Sequence, residues 1–118
     1  MNWYLAKMIF RIVVGEGEHQ PQFDEQLRLI AAADRLEALE KAKDVGRRSQ
    51  ERFLNQQQQP VCWQFVNVIE LNEIPALEDG AELYYHISEP RDAKTYTDLV
   101  HQKAQHMAQS LKVRDWVM

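Results

Sequence analysis

A second cysteine is missing from this chain. Cys62 stands alone among 118 residues, which excludes an intrachain disulfide and suits a reducing compartment. Long apolar runs are missing too: none approaches the roughly 20 residues that a helix needs to cross a bilayer. There is no basic excess either. The formal charge is −4, whereas nucleic-acid binders usually carry a positive stripe. The one basic cluster, Arg47 and Arg48 with Arg52, is interleaved with Glu51 and reads as a solvated helix face. Neither nucleic acid nor membrane is an expected partner. The apolar N-terminal stretch carries Lys7 and Arg11, and no small-residue cleavage site follows it, so no signal peptide is expected. The expected location is cytoplasmic.

The motifs of several chemistries are also missing. Gly15-Glu-Gly17 lacks the third glycine and the helix start of a dinucleotide loop, and there is no phosphate-binding loop or Gly-x-Ser-x-Gly elbow. Cys62 has no Cys-x-x-Cys partner and begins an apolar strand, so it reads as a buried, inert thiol. His101 and His106 are five apart on a predicted helix, about 140° around its axis, where ligand pairs prefer four. His19, between Glu18 and Gln20 with Glu16 nearby, sits in a loop too flexible for a selective site. No metal and no cofactor is expected.

What is present is strong patterning. Tyr4, Ala6, Met8, Phe10, Ile12 and Val14 alternate along a wholly apolar face, opposite a mixed face of Trp3, Leu5, Lys7, Ile9, Arg11 and Val13. That predicts a strand over 2–14. After the Gly15–Pro21 loop, Phe23, Leu27, Leu29 and Ala31 alternate as a second strand, with Glu25 as an interruption. A continuous helix over 24–42 competes on propensity. The strand is preferred because the period changes at Asp34, where a capping residue precedes Glu37 by three. Leu36, Leu39, Ala42, Val45 and Gly46 then recur at helical spacing, and the helix is expected to run to about Gln56. Gly46 inside it predicts either close packing on the sheet or a kink. The polar tract to Pro60 reads as a loop and Val61–Leu71 as a strand. On that strand, plain alternation groups Trp63, Phe65, Asn67, Ile69 and Leu71 on one face. Ala81–Ser88 reads as a further strand after the Asp79-Gly80 turn. A second helix follows to about Lys112, with Tyr96, Val100, Ala104, Met107 and Leu111 as its buried stripe, and 113–118 reads as a short strand or an anchored end.

The expected fold class is α+β: one domain over 1–118, an antiparallel sheet of four to five strands with two helices on one face. The element order fits a ferredoxin-like, split β-α-β plan with an extra N-terminal strand. The Asn2–Lys7 opening, the Phe23–Ile30 strand, the Glu37–Gly46 helix and the Trp63–Val68 strand together resemble a family of small, uncharacterised bacterial one-domain proteins, one of the numbered domains of unknown function. The likeness covers roughly 2–88. It implies bacterial origin and an intact domain, and brings no reaction, cofactor or site residue.

Such a sheet leaves one face open, and both faces of the first and third strands are apolar. A homodimer is therefore expected, with Trp63 or Phe65 near its interface if the helices pack on the opposite face. The polar candidates are Glu70, Tyr84 and His86. A register placing Glu70 opposite His86 would make a carboxylate–imidazole pair, whereas a tight two-residue turn would separate them. The leading functional reading is a non-enzymatic binding or protein-interaction domain. The alternative is a small-ligand binder or enzyme whose pocket, between sheet and helices, uses Glu70, Tyr84 and His86.

Overall fold

Asn2–Val14 form β1 and Gln22–Ala32 form β2, an antiparallel hairpin in which Met8 faces Gln26 and Leu5 faces Leu29. This is the computed structural model of the chain, and it describes residues 1–117, with side chains through Lys112. The hairpin turn needs left-handed backbone at Gly15 and Gly17, with φ of 59° and 82°. His19 ties the turn down. Its Nε2 accepts from the Val14 N–H at 3.0 Å, which places the ring proton on Nδ1 to donate to the Gln20 carbonyl at 2.8 Å.

The period change at Asp34 marks a real boundary. Helix α1 spans Arg35–Arg48, and Asp34 Oδ1 accepts from the Glu37 N–H at 2.8 Å. Glu37 returns its carboxylate to the Ala33 N–H at 3.3 Å, one residue before the cap, so the capping box is offset. Asp34→Ala is expected to lower stability by about 1 kcal/mol, the usual value of an N-cap. A denaturation midpoint equal to that of the parent would contradict the cap.

Helix α1 ends eight residues before the expected Gln56. Ser49 stops it by donating its hydroxyl to the Val45 carbonyl at 2.7 Å, and the chain enters β3, Glu51–Leu54. Asn55 then turns the chain. Its side-chain oxygen accepts from the Gln57 and Gln59 N–H groups at 3.0 and 2.9 Å, and the glutamine tract becomes a hairpin loop into β4, Pro60–Ile74.

The four strands make one antiparallel sheet in the order β2-β1-β4-β3. The N-terminal strand, expected as an extra to the split β-α-β plan, is therefore central in the sheet. Helix α1 links the two edge strands, β2 and β3, which run antiparallel with two strands between them. A split β-α-β unit would need parallel partners around a single strand, so the ferredoxin-like order does not form. The expected 81–88 strand is not formed either. β3 takes the outer flank of β4 as far as Trp63. Beyond it, side chains meet the backbone: Gln50 accepts from the Phe65 N–H at 3.0 Å, and Arg35 donates to the Leu71 carbonyl at 3.1 Å. Met1–Tyr85 form one compact unit.

Register shifts between Lys7 and Met8 and between Ile9 and Phe10 leave Ile69 and Val66 unpaired in β4. At each bulge the face repeat lengthens from two residues to three, so Trp63, Phe65, Val68 and Leu71 share the α1 side. That corrects the grouping of Asn67 and Ile69 with Trp63. Tyr4, Ala6, Met8 and Phe10 of β1 and Ile30 and Ala32 of β2 form the core with Ala38 and Ala42 of α1. The buried face of α1 is a small-residue stripe, Ala38, Ala42 and Gly46, while Leu36 is exposed. Gly46 permits close approach: a Cβ there would lie 2.3 Å from the Phe65 ring.

The second unit, from His86 onward, contains α2, Ala93–Val117. Residues 113–117 extend this helix, so the expected terminal strand is not formed there, and Met118 lies outside the described residues. Asp92 caps α2, accepting from the Thr95 hydroxyl and from the Lys94 N–H at 3.2 Å. The Thr95 hydrogen bond, with the Lys94 N–H behind it, holds the Asp92 carboxyl below its ordinary range. The stripe expected to be buried is exposed at Tyr96, Val100, Met107 and Leu111.

Candidate functional site

Lys7 sits at the centre of the sheet face that α1 does not cover, because odd-numbered residues of β1 point away from the core. Its partners in register are Leu27 on β2 and Glu70 on β4. The ammonium lies 3.3 Å from Glu70 Oε2 and 3.9 Å from Glu25 Oε1. It donates to the Tyr84 hydroxyl at 3.1 Å and lies 4.5 Å from the centre of that ring. The Glu70 oxygen is shielded from solvent and faces the ammonium without hydrogen-bond alignment. The Tyr84 hydrogen bond, followed by the two carboxylates, raises the Lys7 pKa against the opposing effect of burial. The linkage has a definite sign. Lys7 contributes stability below the ordinary lysine range, and the contribution disappears as pH rises through the raised value.

Two of the three polar candidates are thus brought together, by a residue that had not been grouped with them. Glu70 and Tyr84 meet at Lys7, on the face opposite α1, and not in a pocket between sheet and helix. Glu70 also borders a groove of about 410 Å³ between Leu36 and Leu39 of α1 and Val68 to Leu71 of β4, but Tyr84 does not reach it. His86 begins the second unit and is exposed.

Strand β2 carries its polarity inverted. Asp24, Gln26 and Arg28 point to the α1 side and are half-buried, whereas Phe23, Leu27 and Leu29 point to the open face and are 60%, 49% and 48% exposed. The inward residues form a relay. Arg28 donates through Nε and Nη2 to Gln26 Oε1 at 3.0 and 2.7 Å, and Gln26 donates to Asp24 Oδ2 at 2.6 Å. Trp63 Nε1 donates to the same oxygen at 3.0 Å. Gln26 first, then Trp63, hold the Asp24 carboxyl below its ordinary range. Asp24 therefore contributes stability above the ordinary carboxylate range, and that contribution is lost as pH falls through the lowered value. Phe53 stacks on Trp63 with ring centres 6.4 Å apart and planes at 25°. Together with Ser49 and Glu51 these side chains line a cleft of about 370 Å³ beyond the C-terminal end of α1. Sequence reasoning missed this site, although its signal was present: Asp24, Gln26 and Arg28 alternate on the face that continues the core of β1.

The interface candidates Trp63 and Phe65 fall on the α1 side. Phe65 lies under Gly46 and 5.7 Å from Phe10 between ring centres, and Trp63 is held by Asp24 and Phe53. The condition that placed them at a sheet-to-sheet interface is not met. The open face presents Trp3, Phe23, Leu27 and Leu29 instead. Cys62 pairs with Val13 on the open side and is half-buried, not fully buried, because α1 packs on the opposite face of the sheet.

Among the described residues there is no cluster of three or more histidine, cysteine or acidic side chains that could hold a metal, and no helix is long and apolar enough to cross a membrane. Both ring nitrogens of His19 are already engaged in the β1–β2 turn. No curated protein and no solved structure shows significant similarity to the chain. A family model described as "Domain of unknown function (DUF4288)" matches residues 3–85, which end where the first compact unit ends, and the chain belongs to that family.

Proposed function

We propose that this domain is a non-enzymatic interaction module of the cytoplasm, and that its open sheet face pairs with a second copy of the chain. The observation that carries the reading is the inverted polarity of β2. An edge strand that turns an acid, an amide and a guanidinium inward and Phe23, Leu27 and Leu29 outward leaves an apolar row that gains only if it is covered. The charge of the face supports an identical partner. Lys7 and Arg11 on β1 and Arg52 on β3 are largely offset by Glu25 on β2 and Glu70 on β4, so two copies meet with little net repulsion. The lone, half-buried Cys62 is compatible with a reducing location.

Light scattering is expected to give the dimer mass for the parent protein and the monomer mass for Leu27→Glu, with far-UV circular dichroism unchanged. In a two-fold interface each substitution counts twice. Losing about 1.5 kcal/mol per copy weakens association by roughly 100-fold. A parent protein that keeps the monomer mass from micromolar to near-millimolar concentration would refute the pairing.

A further inference from the structure

We propose that the cleft beside Trp63 binds an organic cation, a guanidinium or primary ammonium group set against the indole between two carboxylates. The cleft lies on the α1 side of the sheet, so the argument is independent of the pairing of open faces. Trp63 is flanked on both sides. On one, Asp24 accepts its indole N–H at 3.0 Å; on the other, Glu51 is its partner in the β3–β4 register. The hydrogen bond to a carboxylate makes the indole more electron-rich, and Phe53, stacked on it at 25°, extends the aromatic wall. Helix α1 ends at this cleft with Ser49 among the lining residues, so the negative end of its dipole is directed here.

One positive group lines the cleft, and two more lie nearby. Arg28 commits Nε and Nη2 to Gln26, at the far end of the relay from Trp63, so the cleft sets two carboxylates against one guanidinium. Arg47 turns back to Asp44 Oδ1 at 3.3 Å, and Arg48 to the Asp44 carbonyl at 3.3 Å. What remains open to a ligand is the Glu51 carboxylate, the second oxygen of Asp24 and the aromatic rings, in a volume of about 370 Å³. That combination is the recognition chemistry of a small cation: charge-assisted hydrogen bonds from its N–H groups and a π face beneath it. A volume of this size admits one guanidinium on a short alkyl chain.

The test is a titration of the full-length, ¹⁵N-labelled protein with agmatine and, separately, with N-acetylarginine amide, each followed by two-dimensional NMR. The Trp63 indole signal, assigned by its loss in Trp63→Phe, and the Ser49 and Glu51 amides are expected to shift saturably at millimolar ligand or below. Glu51→Gln, an exposed substitution away from the core, is expected to weaken binding at least tenfold while leaving the rest of the spectrum in place. Saturation by agmatine alone would assign the cleft to a free amine, and saturation by both probes to the cationic head in either setting. No shift up to tens of millimolar, shifts indifferent to Glu51→Gln, or saturation by a dicarboxylate instead would each overturn the proposal.

Discussion

Truncating Phe10 to alanine is expected to lower stability by about 3–5 kcal/mol, the range for deleting a buried aromatic. Phe10 is fully buried, one of the three largest such side chains among the described residues. It faces Asp24 on one neighbouring strand and Phe65 on the other, with its ring tilted 59° against that of Phe65. The space it leaves cannot collapse easily. Phe65 is pinned from above by α1 at Gly46, and the β4 backbone at that point is already distorted by the unpaired Val66. Domains of this size are stable by only about 5–15 kcal/mol in total, so the variant should unfold well below the parent's midpoint in urea. A loss under about 1 kcal/mol would mean that Phe10 is not in the packed centre.

The elements whose residues obey one period throughout were legible in the sequence. β1 alternates without interruption over 2–14, and its even-numbered face is the face that packs on α1. Asp34 announced the change of period and is the cap. Failure came where a local hydrogen bond overrode the pattern. Helix propensity continues past Arg48, but the Ser49 hydroxyl and the Asn55 carboxamide offer the backbone other partners, and four residues after Gln50 pair as β3. In β4, alternation fails twice because a bulge spends a residue without changing the sequence's appearance, and it moves Val68 inward in place of Asn67.

The candidate sites divide in the same way. Glu70 and Tyr84 stand out in the sequence, but the residue that unites them, Lys7, lies far from both along the chain and on the mixed face of β1. The relay through Asp24 is hidden in the sequence because the apolar row Phe23, Leu27 and Leu29 dominates the alternation of this strand. In this strand the polar row faces the helix side and the apolar row faces outward. On an edge strand the alternation gives the period, and the neighbouring strand decides which face is inside.

Gly46→Ala is expected to lower stability by about 1–3 kcal/mol, against the direction that helix propensity alone requires. In an unconstrained helix the change would gain about 1 kcal/mol. Here the new methyl would lie 2.3, 2.4 and 2.8 Å from three atoms of the Phe65 ring, well inside contact distance. The ring has little room to withdraw, since Phe10 stands behind it at 5.7 Å. Either α1 lifts from the sheet, loosening Ala38 and Ala42, or Phe65 leaves its rotamer; overpacking of this kind typically costs about 1–3 kcal/mol. A double-mutant cycle isolates the cause. With Phe65→Leu in the background the overlapping ring edge is gone, and Gly46→Ala should become neutral or mildly stabilising by chemical denaturation. If Gly46→Ala stabilises the parent protein as well, then α1 does not approach β4 this closely, and the small-residue stripe is not what sets its height above the sheet.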